Sequence, residues 1–418
     1  MINTLTTGSP VFSSQTADMV NCPIDHQTLT AQYKTPRTTS HAHKNIEQDA
    51  KGVWHIYGFD QAKTILRYSR TKQLGFKAEL LRQMPSGSRT PILYLEGPEH
   101  LEQRKQTARF FTPKAVSGYR PVMEILADKM VANFVHSRRA DLRQLSLGMA
   151  MRVVSEVVGL TNSRIGGIEK RLDVFLREEN RFPPRHPLSI LLNTVVNFNV
   201  FLFFGLDVKP SIEARKTQPK DDLISYLISQ NYKDWEIFTE CITYAAAGMV
   251  TTREFIALAA WHLITQPTLR QRYLQAAEAE RHAILQEILR LEPIVTNVQR
   301  RAVDDITLES DGQTITIHKD EPIHIHVQTV NADESVVGDN ALAVCPMREM
   351  HKQVVMPSVM SFGDGHHRCP GAYVAIYETD VLLQRLLKLD GLKIAHEPNF
   401  VWSSTASGYE ARNFIIEV

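Results

Sequence analysis

Cysteine is scarce in this chain, with four cysteines in 418 residues. They stand far apart, at Cys22, Cys241, Cys345 and Cys369. Small secreted domains that depend on disulfides carry denser and more regularly spaced cysteines, so the sequence excludes a disulfide framework. The pattern is typical of proteins from the reducing cytosol, and we predict a cytoplasmic location.

The chain also lacks an excess of charge and a membrane-targeting segment. Lysine and arginine number 47 and aspartate and glutamate 46, so the formal net charge is +1 and no nucleic-acid partner is expected. The first residues are polar, with no basic stretch before an apolar core, which predicts neither a signal peptide nor a membrane anchor. The longest apolar run, 189–206, is interrupted by asparagines, so we expect helices that roof an apolar pocket rather than a membrane span.

Repeats, low-complexity tracts and clear linkers are absent as well. Residues 1–45 are predicted to form an irregular N-terminal segment, and residues 46–418 a single domain. Apolar residues recur every three or four positions through most of 98–290, which predicts helices. Three short stretches have the composition and alternation of strands, at 52–57, 315–317 and 322–327. The expected fold class is therefore mainly α, with a smaller β-rich side.

The chain does have one cysteine at the start of a predicted helix. Cys369 lies in the glycine-punctuated stretch 362–371, directly before a helix-like run. The free N–H groups and partial positive charge of a helix N-terminus favour a thiolate, which is the form that binds metals. Pro370 suits the first position of that helix, while Gly365 and Gly371 permit turns or a close backbone approach.

Two other interpretations of this cysteine stay open on these residues alone. It could be an inert buried thiol at a helix start, or it could bind zinc. The zinc alternative would use the ligand-type side chains of one stretch, namely Cys345, His351, His366, His367 and Cys369. Structural zinc sites usually contain closely spaced cysteine pairs, and this stretch has none.

The cysteine loop resembles the ligand loop of the cytochrome P450 family, the haem-thiolate oxygenases. The family pattern fixes five positions, and this chain matches them all with Phe362, Gly365, His367, Cys369 and Gly371. The resemblance implies a haem b cofactor with Cys369 as the axial ligand of the iron. It also implies that Phe362 packs beside the sulfur and that His367 reaches a haem propionate.

Stretches elsewhere match the same family. Glu287 and Arg290 correspond to its Glu-x-x-Arg pair, and Arg348 to a later arginine, which implies a buried structural network that supports the haem loop. Three further side chains match family positions that bind the negatively charged haem propionates, namely His100, Arg104 and Arg300. Taken alone, each of these ionisable side chains would be interpreted as an ordinary solvated charge.

The middle of a helix predicted at 235–262 matches the family's oxygen-binding segment. Ala247 and Gly248 are small enough to let a helix pass close over a flat macrocycle. The resemblance assigns Thr251 the task of organising proton delivery to dioxygen, a task that a positioned hydroxyl can perform. The structural alternative is a packed helix in which the threonine bonds back to its own preceding turn.

One reactive position departs from the family. Val250 stands where the family usually has Asp or Glu, so the carboxylate that helps to relay protons is missing. We expect the proton path to run through water beside Thr251, with Glu254 one turn on as the other candidate. The loss of the acid also leaves room for peroxide-driven oxidation or one-electron oxidative coupling.

Position along the chain suggests an apolar substrate pocket with a few polar groups, the usual character of small-molecule sites. Its candidate lining residues are Tyr244, Val250, Val295 and Phe198.

The activity that the resemblance implies is a monooxygenase of secondary metabolism. It would use O2 and two electrons, delivered from NAD(P)H by a ferredoxin reductase and a ferredoxin, to oxidise an apolar small molecule. The chain is expected to be a monomer, with a basic docking surface formed by Lys105, Arg109, Arg368, Arg385 and Lys388. The alternatives are a peroxygenase or oxidative-coupling enzyme, and a non-catalytic haem sensor or carrier.

Overall fold

The computed structural model describes residues 44–75, 89–176, 198–403 and 407–418. The irregular segment predicted at 1–45 lies outside the described residues except for its last two positions. Residues 189–197, the first half of the apolar run 189–206, also lie outside the described residues. Residues 198–206 are helical.

Helices dominate the described residues. In chain order they are α1 (Phe59–Arg67), α2 (Gly97–Thr107), α3 (Pro113–Ser137), α4 (Leu142–Val158), α5 (Ile168–Leu176), α6 (Lys209–Thr217), α7 (Leu223–Ser229), α8 (Asp234–Thr265), α9 (Pro267–Gln275), α10 (Glu278–Leu291), α11 (Val327–Val330), α12 (Glu334–Val337) and α13 (Ala372–Leu386). Shorter helical pieces are the 3-10 turns Ala108–Phe111 and Gly365–His367, the helical stretch 198–203 and the π-helical turn Phe204–Val208 that follows it.

The strands are short. They are β1 (Ile46–Gln48), β2 (Trp54–Ile56), β3 (Thr71–Gln73), β4 (Arg139–Asp141), β5 (Asn297–Ala302), β6 (Ile306–Ser310), β7 (Gln313–Ile317), β8 (Pro322–His326), β9 (Lys393–His396), β10 (Asn399–Ser403), β11 (Gly408–Arg412) and β12 (Ile415–Glu417). The largest sheet has the order β1-β2-β8-β5-β3, with only β2 and β8 parallel. A three-stranded sheet has the order β4-β12-β9, and β6-β7 and β10-β11 form antiparallel pairs. The mainly α fold with a smaller β-rich side is confirmed.

Local chemistry fixes several helix ends. The Thr112 hydroxyl accepts the Ala115 N–H at 3.2 Å and caps α3, and the Asp141 carboxylate accepts the Arg143 N–H at 2.9 Å and caps α4. Such side-chain acceptors satisfy N–H groups that have no partner within the helix. At its other end, α4 stops at Gly159, whose φ of 96° is accessible to glycine at little cost.

The central element is α8, which packs against α4 on one side and α13 on another. Nearly every side chain of its second half is buried. A Cβ atom on Gly248 would lie 2.9 Å from Val154 Cγ2, so the glycine permits the close approach of α4 and α8. Because α13 begins directly after the Cys369 loop, its packing on α8 fixes that loop relative to Thr251.

The start of α13 differs from the prediction. Pro370 does not occupy the first helical position, because α13 begins at Ala372 with Gly371 as its N-cap. The Ala375 N–H donates to the Gly371 carbonyl at 2.9 Å, which makes Gly371 the first acceptor of the helix. None of the described helices combines the length and apolar composition needed to cross a membrane.

Candidate functional site

Backbone hydrogen bonds fold the Cys369 loop tightly. The Cys369 N–H donates to the Phe362 carbonyl at 2.8 Å, and the Asp364 carboxylate accepts the Gly365 N–H at 2.7 Å. Burial raises the pKa of the Cys369 thiol, while the Gly371 N–H and the charges of Arg104 and Arg368 act in the opposite direction. The N–H group and the cations that would stabilise a thiolate ligand are therefore in place around the sulfur.

Gly365 is the position in this loop where a side chain cannot be accommodated. Its φ is +67°, and a Cβ atom there would lie 2.1 Å from the Leu66 carbonyl oxygen at the end of α1. The adjacent Asp364 is buried and pairs with Arg67 on the same helix, at 3.1 Å. The loop is thus docked against the C-terminus of α1 through direct backbone contact. This agrees with the expectation that Gly365 permits a close backbone approach.

Replacement of Gly365 by alanine is expected to displace the loop from α1. Any residue with a Cβ loses about 1–2 kcal/mol at a left-handed φ, and the collision with Leu66 adds to that cost. We expect unfolding in urea at a lower midpoint and loss of most bound haem. The matched control is Gly363→Ala, since Gly363 has a φ of +69° but its Cβ would meet nothing closer than 3.9 Å. Equal losses in both variants would contradict the role given to the Leu66 contact.

Four basic side chains, His100, Arg104, Arg300 and His367, lie together at the edge of this loop, and three of them interact with the Glu96 carboxylate. His367 Nε2 is 2.9 Å from Glu96 Oε2, and the ring of His100 stacks on that of His367 with centroids 4.1 Å apart. Burial lowers the pKa values of His100 and Arg300, and the charge of Glu96 acts in the opposite direction. The resemblance assigned the two histidines and the two arginines to one site, and the structure places them close together.

The two arginines of this cluster have few anionic neighbours. Arg300 is 3% exposed and donates to Gln73 Oε1 and, at 2.9 Å, to the Gln299 carbonyl. Arg104 donates to the Arg368 carbonyl next to Cys369. Within the described parts of the chain neither arginine has a carboxylate at ion-pair distance. Burial lowers the pKa of Arg300 to about 10, the expected cost of a buried cation that lacks an anion.

The cluster suits a dianionic group with a hydrogen-bond acceptor. His100 Nε2 is buried and has no hydrogen-bond partner among the described residues. Burial, followed by His367 and Arg104, lowers the pKa of His100 to about 4. Two added carboxylates would offset the surplus of positive charge and satisfy the orphaned nitrogen. The residues present therefore fit the propionates of a haem whose iron Cys369 would bind.

The predicted structural network is fully formed. Arg290 is completely buried and binds the Glu287 carboxylate through two bonds, of 2.7 and 2.8 Å. Arg348 Nε and the Cys345 N–H donate to the same carboxylate at 3.0 and 3.1 Å. Burial acts to raise the pKa of Glu287, but Arg290 and Arg348 outweigh it and hold that pKa below its usual value. The bidentate geometry is the strong form of such a pair.

Asn331 connects this network to the haem loop, and motif reasoning gave it no role. Its side chain donates to the Arg290 carbonyl at 3.0 Å and to Ser361 Oγ at 2.8 Å, and accepts the Met360 N–H at 2.8 Å. Arg290 in turn donates to the Asn331 carbonyl at 2.8 Å. A buried residue that hydrogen-bonds in both directions locks the segment leading to Phe362 onto α10. The only signal in the sequence was an asparagine directly after the residues of α11.

The oxygen-side helix presents an open strip on an otherwise buried element. Ala247 is exposed and Thr251 half-buried, whereas Met249, Val250 and Thr252 are buried. The Thr251 hydroxyl donates to the Ala247 carbonyl at 2.7 Å, which is the back-bonded arrangement. Thr251 is thus held on the open strip, with its oxygen still able to accept a hydrogen bond.

Glu254 cannot stand in for the acid missing at position 250. Arg143 and Arg253 both donate to its Oε1, at 3.2 and 2.6 Å, and the Ala411 N–H donates to its Oε2 at 2.9 Å. Both carboxylate oxygens are engaged in an ion-pair network that joins α8 to α4 and β11. This geometry removes the alternative proton route through Glu254.

The candidate pocket residues differ in exposure. Tyr244 stacks on Phe111 at a centroid distance of 5.9 Å, next to the turn that follows α2, and Val250 is buried. Val295 is half-buried between α10 and β5. Phe198 is 58% exposed, whereas Phe203 of the same helical stretch is buried, and the place of Phe198 in the pocket stays a prediction.

The zinc alternative finds no support. Among the described residues no group of three or more His, Cys, Asp or Glu side chains has the geometry to hold a metal ion. Cys241 and Cys369 are free thiols.

Comparisons with known proteins agree with this geometry. The family model for Cytochrome P450 matches residues 281–398, which include most of α10, the Glu287 network and the cysteine loop. The mycinamicin IV hydroxylase/epoxidase of Micromonospora griseorubida is 24% identical over 389 residues, covering 90% of this chain and 92% of the relative. The erythromycin C-12 hydroxylase of Saccharopolyspora erythraea is 25% identical over 356 residues, covering 82% and 83%.

Solved structures show the same fold. The structure of CalO2 superposes with a TM-score of 0.75 at 18% identity, over 90% of this chain and 93% of that one. A mutant of P450 EryK in complex with erythromycin B superposes with a TM-score of 0.70 at 22% identity, over 90% and 94%.

Proposed function

We propose that the chain is a haem-thiolate monooxygenase of the cytochrome P450 family, and that it hydroxylates or otherwise oxidises an apolar small molecule in secondary metabolism. One atom of O2 enters the substrate and the other leaves as water, with two electrons and two protons consumed. The observation that carries the proposal is the Cys369 sulfur at the start of α13, flanked by a cluster of basic side chains with a single carboxylate. Two named relatives, a hydroxylase/epoxidase and a hydroxylase, support this class of reaction.

Haem b, held by Cys369 at its iron and by the basic cluster at its propionates, would supply the redox centre at which O2 is activated. The residues assigned to the propionates are His100, Arg104, Arg300 and His367. In the same proposal Phe362 packs by the sulfur, Gly365 and Gly371 shape the loop, and Glu287, Arg290 and Arg348 support it.

On the side assigned to O2, α8 supplies space and a route for protons. Ala247 leaves the open strip of α8 free of side-chain bulk, and Gly248 brings that helix close to α4. We assign to Thr251 Oγ1 the task of holding a water at the strip, because this oxygen already donates to the Ala247 carbonyl and keeps acceptor capacity. Substrate would approach along the apolar side formed in part by Val250 and Val295.

We further propose that residues 46–418 act as one domain, as a monomer in the cytoplasm, with electrons from a ferredoxin and its NAD(P)H-dependent reductase. Lys105, Arg109 and Lys388 are exposed and available for docking an acidic partner. Arg385 pairs with Asp128 and is therefore a weaker member of the docking surface than its position predicted.

A spectral titration tests the proposed substrate class. Purified holoenzyme would be titrated with long-chain fatty acids and, separately, with rigid polycyclic or aromatic peptide-like compounds. A ligand that displaces water from the iron shifts the absorption spectrum from low to high spin. We expect the shift with rigid ring compounds, which would then be tried as substrates. A shift with fatty acids alone would instead support a lipid hydroxylase or a peroxygenase.

Restoring the missing acid should separate a monooxygenase from a peroxide-driven enzyme. With Val250→Asp we expect the amount of product formed per NAD(P)H consumed to rise about tenfold. This gain is smaller than the 10²–10⁴-fold rate enhancement of full general acid catalysis, because water already delivers protons in the wild type. Val250→Asn is the matched control, since it has the same shape and no carboxylate to relay a proton. No gain in the aspartate variant, together with strong turnover on peroxide, would favour the peroxygenase.

A further inference from the structure

Three histidines lie together on one face of the largest sheet and have no role in the proposed reaction. His55 is on β2, and His324 and His326 are on β8, with His55 beside His324 in the parallel register. Side chains alternate between the two faces of a strand, and on the opposite face of β8 Ile323 and Ile325 are buried. We name the three half-buried histidines the histidine cluster.

A hydrogen bond between two of these rings joins β2 to β8. His55 Nδ1 is 2.9 Å from His326 Nε2, and the two rings are stacked with centroids 5.1 Å apart. On its other side, His55 Nε2 lies 3.3 Å from Asp49 Oδ2. A contact between two ring nitrogens needs one to donate and the other to accept, so at least one of the two rings has to be neutral. The closed strand pair therefore cannot hold a proton on every ring.

The charges that face the histidine cluster do not favour added protons. Among the described residues, the charged or titratable side chains on this face are Glu47 on β1, Asp49 in the turn before β2, Tyr57 after β2, Arg301 on β5 and Lys72 on β3. Burial and Glu47 raise the pKa of Tyr57 to about 12, so this phenol is neutral. Two carboxylates thus face two cations, and the surroundings supply no net negative charge. Burial lowers the pKa of His324, the charge of His55 lowers it further, and Asp49 acts the other way.

We infer that the histidine cluster is an acid-sensitive switch in the sheet that carries Arg300. Histidines of an open chain titrate near pH 6.5. Below that pH an open β2–β8 pair takes up a proton on each ring, whereas the closed pair keeps at least one ring neutral. The stability that the cluster contributes is therefore complete above about pH 6.5 and is lost as pH falls below it.

The effect reaches Arg300 through β8. This strand pairs with β2 on one side and with β5 on the other, and Ile323, next to His324, lies opposite Arg300 in the register. Separation of β8 from β2 therefore loosens the strand that holds Arg300 in the basic cluster. Only this last link rests on the proposed function, in which Arg300 binds a propionate. The switch in the sheet is independent of it.

The first test counts protons by urea unfolding of the purified full-length protein between pH 5 and pH 8. The slope of the unfolding free energy against pH gives the number of protons taken up on unfolding. We expect wild type to take up about one proton more than His326→Gln below pH 6.5, which is about a tenfold larger change of the unfolding constant per pH unit. The glutamine amide can donate to His55 or accept from it, so the bond survives in either state of that ring.

His136→Gln is the matched control, because His136 is exposed near the end of α3. We expect it to keep the wild-type slope. Equal slopes in wild type and His326→Gln would overturn the inference.

The second test locates the opening without any substitution. Hydrogen exchange of the full-length protein, measured by mass spectrometry and corrected for the intrinsic pH dependence of amide exchange, would compare pH 7.5 with pH 5.5. In peptides that contain β2 and β8 we expect the opening constant to rise about tenfold, since pH 5.5 is about one unit below the histidine titration. Peptides from α4 should not change. No rise in β2 and β8, or the same rise in α4, would overturn the inference.

The third test examines the link to Arg300. The rate of haem transfer from the holoprotein to an excess of a haem-scavenging protein would be measured at pH 7.5 and pH 5.5. We expect acid to accelerate the transfer by a larger factor in wild type than in His326→Gln. Equal factors would overturn the link between the histidine cluster and Arg300. If the protein binds no haem, the proposed function fails, whereas urea unfolding and hydrogen exchange still decide whether the switch exists.

Discussion

Replacing Cys369 by serine is expected to remove the spectral signature of thiolate-ligated haem and to lower turnover by more than about 100-fold. Loss of a group behind the metal ligand already costs about 10–100-fold in metal affinity or activity, and here the ligand itself is lost. The serine hydroxyl is a poorer electron donor than a thiolate, so the electron density that the Cys369 thiolate would supply to a bound haem is lost. The check is the absorption spectrum of the reduced, carbon monoxide-treated protein together with product formation.

The effect should be confined to this one cysteine. Cys241 is also a free thiol and lies fully buried on α8 in the apolar core, so Cys241→Ala is the matched control. We expect that variant to keep the thiolate spectrum and to lose only some stability, since a small cavity replaces the sulfur. If Cys369→Ser kept the thiolate spectrum, or if Cys241→Ala lost it, the assignment of the axial ligand would be wrong.

Much of this site could be predicted because its chemistry is local in sequence. Five fixed positions lie within the ten residues of the cysteine loop, and one of them, Gly365, has a backbone conformation and a steric contact that only glycine tolerates. Glu287 and Arg290 are three residues apart on one helix, so helical periodicity alone places them side by side. The mainly α fold follows from the same three- and four-residue periodicity.

The rest depends on contacts that cross the chain. Glu96, the carboxylate shared by the basic cluster, comes from the residue before α2 and meets His367 from a loop 271 residues later. Asn331 acquires its role only when α10 and the haem loop lie on either side of it. None of these relations has a signal within a short sequence window.

Replacing Glu287 by glutamine is expected to destabilise the protein by about 3–5 kcal/mol, because it leaves the buried cations of Arg290 and Arg348 without their carboxylate. Glutamine keeps the size of the side chain, so the loss isolates the charge. Since Arg290 also binds Asn331, which holds the segment before Phe362, we expect haem binding to weaken along with folding. Urea unfolding of apoprotein and haem retention of holoprotein would measure the two effects.

The pH dependence of this variant gives the sharper result. The folded pKa of Glu287 is held below its usual 4.5, so the stability it contributes is complete above that pH and is lost as pH falls through the lower folded value. The unfolding free energies of wild type and Glu287→Gln should therefore differ most near neutrality and converge in acid. Glu280→Gln is the control, because Glu280 forms a partly exposed pair with Arg272, and such a pair contributes at most about 1 kcal/mol. A difference between wild type and Glu287→Gln that stayed constant with pH would show that the charge of Glu287 does not hold the network together.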